Sequence, residues 1–309
     1  MSGSISLRGA LIDDIILKNY RETIDKNSKP IILLSPKKSD EGYFVESGWA
    51  TAKSDIKVPD NNSVWQIKEG KKLTPNSPVT LEWNNREGII FSKKIELDNK
   101  YLFKITETIK NDKNKAIELF HYSQITKNTK PTTENFYILH EGLIGVVDKN
   151  LKEETYSTIE KEKKTYSGKS GWFGITDKYW MSAIIPESGK SFKGEYSYAN
   201  SYKANFIISE PTIANPQKSV SNTLKIFIGA KEVYCPSVKA KLERDYKVGS
   251  NGRNYLMAIL SDDNASVSIF NEQDDFVSLA SANSLVSVNE GDSLKAGDLV
   301  TVVVLPRIK

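Results

Sequence analysis

The sequence predicts an all-β protein made of antiparallel sheets. Three observations carry this. Apolar and polar residues alternate with a period of two through most of the first two thirds of the chain. The breaks between alternating runs are short and rich in Asn, Asp and Gly, which bond their own turns and tolerate left-handed backbone. Segments with a convincing helical period are scarce.

The clearest run is a meander. Val79–Trp83 leads through Asn84-Asn85-Arg86-Glu87-Gly88 into Ile89–Leu97, which alternates imperfectly. Asp98-Asn99-Lys100 then turns into Tyr101–Ile109, which alternates well, and Asn111–Asn114 turns into Ala116–Gln124. Further strands are expected at Ala10–Leu17, Ile31–Leu34, Tyr43–Trp49, Leu143–Val147 and Trp172–Thr176. Others are expected at Tyr179–Ile184, Tyr196–Ala199, Lys203–Ile208 and Leu224–Ile228. Many short strands separated by turn signals argue for a sandwich or barrel. Lys149–Lys164 is dense in Lys and Glu and fits a short helix, a charged loop or an edge strand; a solvated face is the plain reading.

Character changes near Val233, where Cys235-Pro236 breaks the pattern. A compact β unit follows: Val238–Leu242, Tyr255–Leu260, Val267–Phe270, Leu285–Val288 and Val300–Leu305. Phe276–Asn283 fits one short helix capped by Asp274 or Asp275. The expected domains are therefore residues 1–233 and 234–309.

Composition excludes several classes. With 309 residues, 39% hydrophobic, 14 Tyr, 11 Phe and 5 Trp, the chain can bury a substantial core. The net charge of +4 is not gathered in one tract, and the pI of 8.7 lies below the value of about 9 usual for nucleic-acid binders. A single cysteine, Cys235, forms no intramolecular disulfide. His121, His140 and that distant cysteine do not make a typical zinc site. The longest apolar run, Leu299–Leu305, has strand length, against the ~20 residues of a membrane span. Met1-Ser2-Gly3-Ser4 lacks the basic and apolar regions of a signal peptide, so a soluble chain is expected.

No motif carries chemistry. Gly168-Lys169-Ser170 and Gly189-Lys190-Ser191 lack the upstream glycine of a phosphate loop and read as turns. His121, between Phe120 and Tyr122, and His140, before Glu141, read as structural or surface histidines. Trp172, Tyr179 and Trp180 suit a groove for sugar or peptide, but core filling is the expectation. No catalytic, cofactor-binding or metal-binding residue is expected, and partner-binding residues are unassigned.

Four blocks in order resemble the large periplasmic domain of the YidC membrane-protein insertases. They are Ile5–Ala10, Leu81–Asn111, Lys169–Pro186 and Leu224–Val233 (LKIFIGAKEV). The third is similar to a Gly-Gly-Trp block ending in Ile-Pro, with Ser170 in place of the first glycine. The resemblance implies a β-supersandwich, two large antiparallel sheets packed face to face, on the periplasmic side of the bacterial inner membrane. It implies an accessory role, with docking surface for SecD–SecF and the Sec translocon and a cleft for extended substrates such as nascent membrane proteins. The insertase bundle itself has no counterpart among these residues.

Phe276–Leu305 resembles instead the C-terminal domain of MoeA, the molybdopterin molybdotransferase. Glu290-Gly291 and Leu294-Lys295-Ala296-Gly297-Asp298 match its turns, while Ser284 and Asp274-Asp275 depart from it. This implies a small β-barrel-like domain without the cofactor-binding part. Two other functions stay open at this point: a fragment of a molybdenum-cofactor transferase, and a carbohydrate- or peptide-binding sandwich.

Overall fold

In the computed structural model the alternating runs pair into two large sheets. The structure describes residues 1–23, 25, 27–53, 55–131, 140–231, 237–247, 255–261, 263–269, 284–287 and 292–304. The chain divides into two compact units, Met1–Lys231 and Glu232–Lys309.

The first unit begins β1 (Ser2–Ser6), β2 (Leu11–Arg21), β3 (Pro30–Leu34), β4 (Tyr43–Ala50), β5 (Gln66–Glu69) and β6 (Val79–Asn84). It continues β7 (Ile89–Leu97), β8 (Leu102–Asn111), β9 (Ile117–Lys127), β10 (Gly142–Val147), β11 (Asn150–Glu154) and α1 (Tyr156–Lys161). It ends β12 (Lys164–Gly168), β13 (Gly171–Thr176), β14 (Trp180–Ile185), β15 (Phe192–Tyr198), β16 (Tyr202–Ile208), β17 (Thr212–Ala214) and β18 (Lys218–Ala230). One nine-stranded sheet has the order β1-β2-β4-β9-β16-β15-β12, with β3 beside β2 and β17 beside β9. The other has the order β11-β10-β13-β14-β18-β8-β7-β6-β5. The inner faces of both sheets share one apolar core.

The turns form as their residues dictate. The Asp98 carboxylate accepts from the backbone N–H of Lys100 (2.7 Å) and Leu102 (2.9 Å). The Asn85 side-chain oxygen accepts from Glu87 (2.8 Å) and Ile89 (3.0 Å), and Gly88 takes the positive φ of +85° that the turn needs. Asn111 caps the next turn through Lys113 (3.0 Å).

The charged run at Lys149–Lys164 is not one solvated face. It holds β11, then α1, then the start of β12. Thr155 caps the helix by accepting from the Thr158 N–H, and Tyr156 and Ile159 are buried.

Phe173 is the buried aromatic of the Lys169–Pro186 block, beside the buried Ile175 and Ile184. It lies edge-to-face against Phe192 (5.5 Å) and Tyr196 (5.7 Å) of the opposite sheet. Its ring fills the space over Gly194, where an added Cβ would fall 2.0 Å from Phe173 Cζ.

The second unit contains β19 (Ser237–Leu242), β20 (Tyr246–Lys247), β21 (Tyr255–Leu260), β22 (Ser266–Ile269), β23 (Ser284–Ser287), β24 (Ser293–Leu294) and β25 (Leu299–Val304). Five of them pair in a cycle, β19-β22-β21-β23-β25 and back to β19, around Leu242, Leu260, Val267, Ile269 and Val302. Asp245 holds the Lys295–Asp298 turn by accepting from Lys295 Nζ (2.8 Å) and the Ala296 N–H (2.9 Å). The expected helix at Phe276–Asn283 and Cys235 lie outside the described residues.

Removing or overfilling the Phe173 contact is expected to be costly. Phe173→Ala should lower stability by about 3–5 kcal/mol, and Gly194→Ala by about 1–3 kcal/mol. Urea denaturation of each variant measures this; a Gly194→Ala midpoint equal to the parent's would refute the packing account.

Candidate functional site

Alternation places a few charged or polar residues among the apolar ones on the buried face. On β7 the inward series is Ile89, Phe91, Lys93, Ile95; on β8 it is Phe103, Ile105, Glu107, Ile109. On β9 it is Ile117, Leu119, His121, Ser123, Ile125. Lys93 and Glu107 are direct cross-strand partners. His121 approaches them from the opposite sheet, beside Trp49.

These residues form one closed network. Lys93 Nζ lies 3.2 Å from Glu107 Oε1, with side chains only 3% and 2% exposed. Lys93 also donates to the Ser47 carbonyl (2.8 Å) and sits 5.6 Å from the Trp65 ring centroid. Glu107 accepts from the Ser47 hydroxyl (2.6 Å) and from His121 Nε2 (3.2 Å). Burial alone would raise the Glu107 carboxyl. The Lys93 charge, the His121 contact and the Ser47 hydroxyl outweigh it and bring the group down to about 2.

A cavity of about 20 Å³ adjoins the network, lined by Glu46, Trp65, Glu107 and Tyr122 among others. That is room for one water, not for a sugar. The buried Trp65 indole N–H has no protein acceptor, and a water there would satisfy it. Neither Lys93 nor Glu107 stood out in the sequence. The signal was present, because the imperfect alternation of Ile89–Leu97 is Lys93 holding an inward position.

A second polar cluster ties the strand ends. Asp177 pairs with Lys127, accepts from the Tyr156 hydroxyl (3.0 Å), and so joins β9 to α1. Lys127 Nζ also faces the Tyr43 ring at 4.9 Å.

The residues singled out by sequence are not brought together. His121 is buried in the network, whereas His140 is half-buried and its Nε2 donates to the Leu143 carbonyl (3.0 Å). The two Gly-Lys-Ser segments are turns: the Lys169 and Ser170 N–H groups donate to Asp148, and Lys190 pairs with Glu187 and Asn222. The aromatic block departs from expectation. Phe173 fills the core, but Tyr179 is 57% exposed and Trp172 and Trp180 are only half-buried. Alternation explains it: Phe173 points in, so Trp172 points out.

An open cleft of about 660 Å³ lies between the edges of the two sheets. Its walls come from β1 and β2 of one sheet and from β5 to β8 with Lys71–Pro75 of the other. The two edges are joined at one end, where the Trp65 N–H donates to the Leu7 carbonyl (2.8 Å) and the Gly9 N–H to the Ser63 carbonyl (2.8 Å). β1 and β5 are end strands of their sheets, each with one side that has no neighbouring strand among the described residues.

These features define an antiparallel β-sandwich in which Lys93, Glu107 and His121 are committed to each other, with an open cleft at its edge. The sequence comparisons name its kind: the chain belongs to the YidC periplasmic domain family, whose model matches residues 1–243. A membrane protein insertase YidC of Pelagibacter ubique is 40% identical over 231 residues, covering 75% of this chain and 41% of that protein. Another, of Sinorhizobium medicae, is 41% identical over 244 residues, covering 75% and 40%. The chain thus spans about two fifths of the length of these relatives. A galactose mutarotase-like protein from Lactobacillus casei has a similar fold, with TM-score 0.50 at 8% identity over 73% of this chain and 96% of that one. No helix among the described residues is long and apolar enough to cross a membrane.

The network makes a pH prediction. The folded value of Glu107 lies below its ordinary 4.5. Its contribution is therefore complete above pH 4.5 and lost as pH falls toward about 2. Burial raises Asp13 and Glu46, so their effect on acidification has the opposite sign. Glu107→Gln, which strands a buried Lys93, should cost about 3–5 kcal/mol at neutral pH. Its urea midpoint should then fall less than the parent's between pH 4.5 and 2. Parallel profiles for parent and variant would refute the assignment.

Proposed function

We propose that this chain acts as an accessory periplasmic domain of a membrane-protein insertase, working by docking and not by catalysis. The observation that carries this reading is the family match across residues 1–243, together with relatives named membrane protein insertase YidC. The proposed location is the periplasmic side of the inner membrane. The proposed partners are the SecD–SecF periplasmic domains of the Sec translocon and nascent membrane proteins. The cleft suits the second role. Its apolar floor includes Ile12, Ile15, Leu81 and Phe103, and the unpaired edges of β1 and β5 supply backbone donors and acceptors to an extended segment.

Docking of this kind rests on a few anchors, so weak, saturable binding is expected. Titrating the purified chain against SecD–SecF periplasmic domains by calorimetry should give a micromolar dissociation constant. No heat of binding at high micromolar concentrations would overturn the docking reading.

We propose that the second unit is an independent module of the MoeA C-terminal kind. The Leu294–Asp298 turn and the five-strand pairing cycle support this. Limited proteolysis within 233–252 should release two resistant fragments. Loss of both fragments at the same rate would argue against separate modules.

A further inference from the structure

Partly buried aromatics at the margin of the core, Tyr20, Tyr101 and Trp180, adjoin the exposed Tyr179 and form a lip. Trp180, at the start of β14, meets Tyr20 of β2 edge-to-face at 5.1 Å and Tyr179 at 6.1 Å. Tyr179 is 57% exposed and carries Lys178 Nζ 5.0 Å from its ring centroid. The lip runs on into the cleft mouth. Tyr101 lines that mouth, and its ring occupies the space over Gly229, one residue from the Trp180 cross-strand partner Ala230.

The charges here have one sign left over. Lys18, Lys71 and Lys72 line the mouth, are exposed, and make no ion pair among the described residues; Lys178 is likewise unpaired. Of the acids nearby, two are committed, while Glu69 is exposed and Asp14 bonds the Ser4 hydroxyl. Asp177 is held by Lys127 and Tyr156, and Asp98 by its own turn.

An exposed Tyr beside a half-buried Trp, with unpaired lysines, is the chemistry of a lipid headgroup region. The rings are amphipathic and settle where apolar and aqueous phases meet. The ammonium groups add attraction to anionic lipid.

We infer that this lip is a membrane-docking surface that seats the first unit on an anionic bilayer, with Tyr179 and Trp180 at headgroup depth and Lys18, Lys71, Lys72 and Lys178 over the phosphates. The inference goes beyond partner docking, and its test contains no translocon component, so either can fail alone.

The test is co-sedimentation of the full chain with phosphatidylethanolamine vesicles containing about one quarter phosphatidylglycerol, against neutral phosphatidylcholine vesicles. Binding is expected on the anionic vesicles only, weakening as salt rises. Lys178→Glu should reduce the partition coefficient by at least about fivefold. Tyr179→Ala should reduce it comparably, while Tyr179→Trp should preserve it. Both positions are exposed, so folding is not at stake. No sedimentation with anionic vesicles would overturn the assignment. So would equal binding to neutral ones, or binding unchanged in the Lys178→Glu/Tyr179→Ala double variant.

Discussion

The sandwich depends on keeping Lys93 and Glu107 together where no water reaches them in bulk. Each ion alone would lose far more hydration than the fold regains. The structure meets this by completing the network from the other sheet. Ser47 supplies both a hydroxyl for Glu107 and a carbonyl for Lys93, and His121 takes the second carboxylate oxygen. Two strands of each sheet are thereby held in one register. A shift of one residue would turn Lys93 and Glu107 outward and strand His121 among apolar side chains. The apolar core supplies the driving force, but it tolerates sliding; the charged network does not.

That network shows how far sequence reading reaches. Strands with a clean period of two, such as β8, β9 and β16, were legible because one face is buried along their whole length. β5 was not. All four residues, Gln66–Glu69, are exposed, and the strand exists because the edge of β6 offers hydrogen bonds. No pattern of side chains records such a cause. α1 was half legible: Thr155 is an ordinary cap, but its capping contacts are shared with Ser157 and Thr158 inside a run that reads as charge.

The site residues were hidden for a different reason. A lysine in an alternating strand is normally assigned to solvent, so an inward lysine looks like broken alternation. Lys93 sits between Phe91 and Ile95, Glu107 between Ile105 and Ile109, and the two are opposite each other in a single hairpin. Two faults in the pattern at paired positions, of opposite charge, are together a signal that neither gives alone. The aromatic block failed in the reverse direction. Trp172, Tyr179 and Trp180 look like core by composition, but Phe173 takes the inward position of β13 beside Trp172, and Tyr179 lies in the bend before β14.

Fold likeness and site chemistry separate at this point. A mutarotase-like protein shares the architecture at 8% identity, and a buried Glu–His–Lys group invites an enzymatic reading. A catalytic group must have a proton to give or take and room for a substrate to meet it. Here both Glu107 oxygens already accept hydrogen bonds, and Lys93 is engaged by Glu107 and the backbone. The adjoining space, about 20 Å³, has room for no more than a water. The same residue types that would do chemistry at an open cleft here spend their bonding capacity on one another across the two sheets. What remains uncommitted lies outside the core, along the end strands β1 and β5 and at the exposed Tyr179.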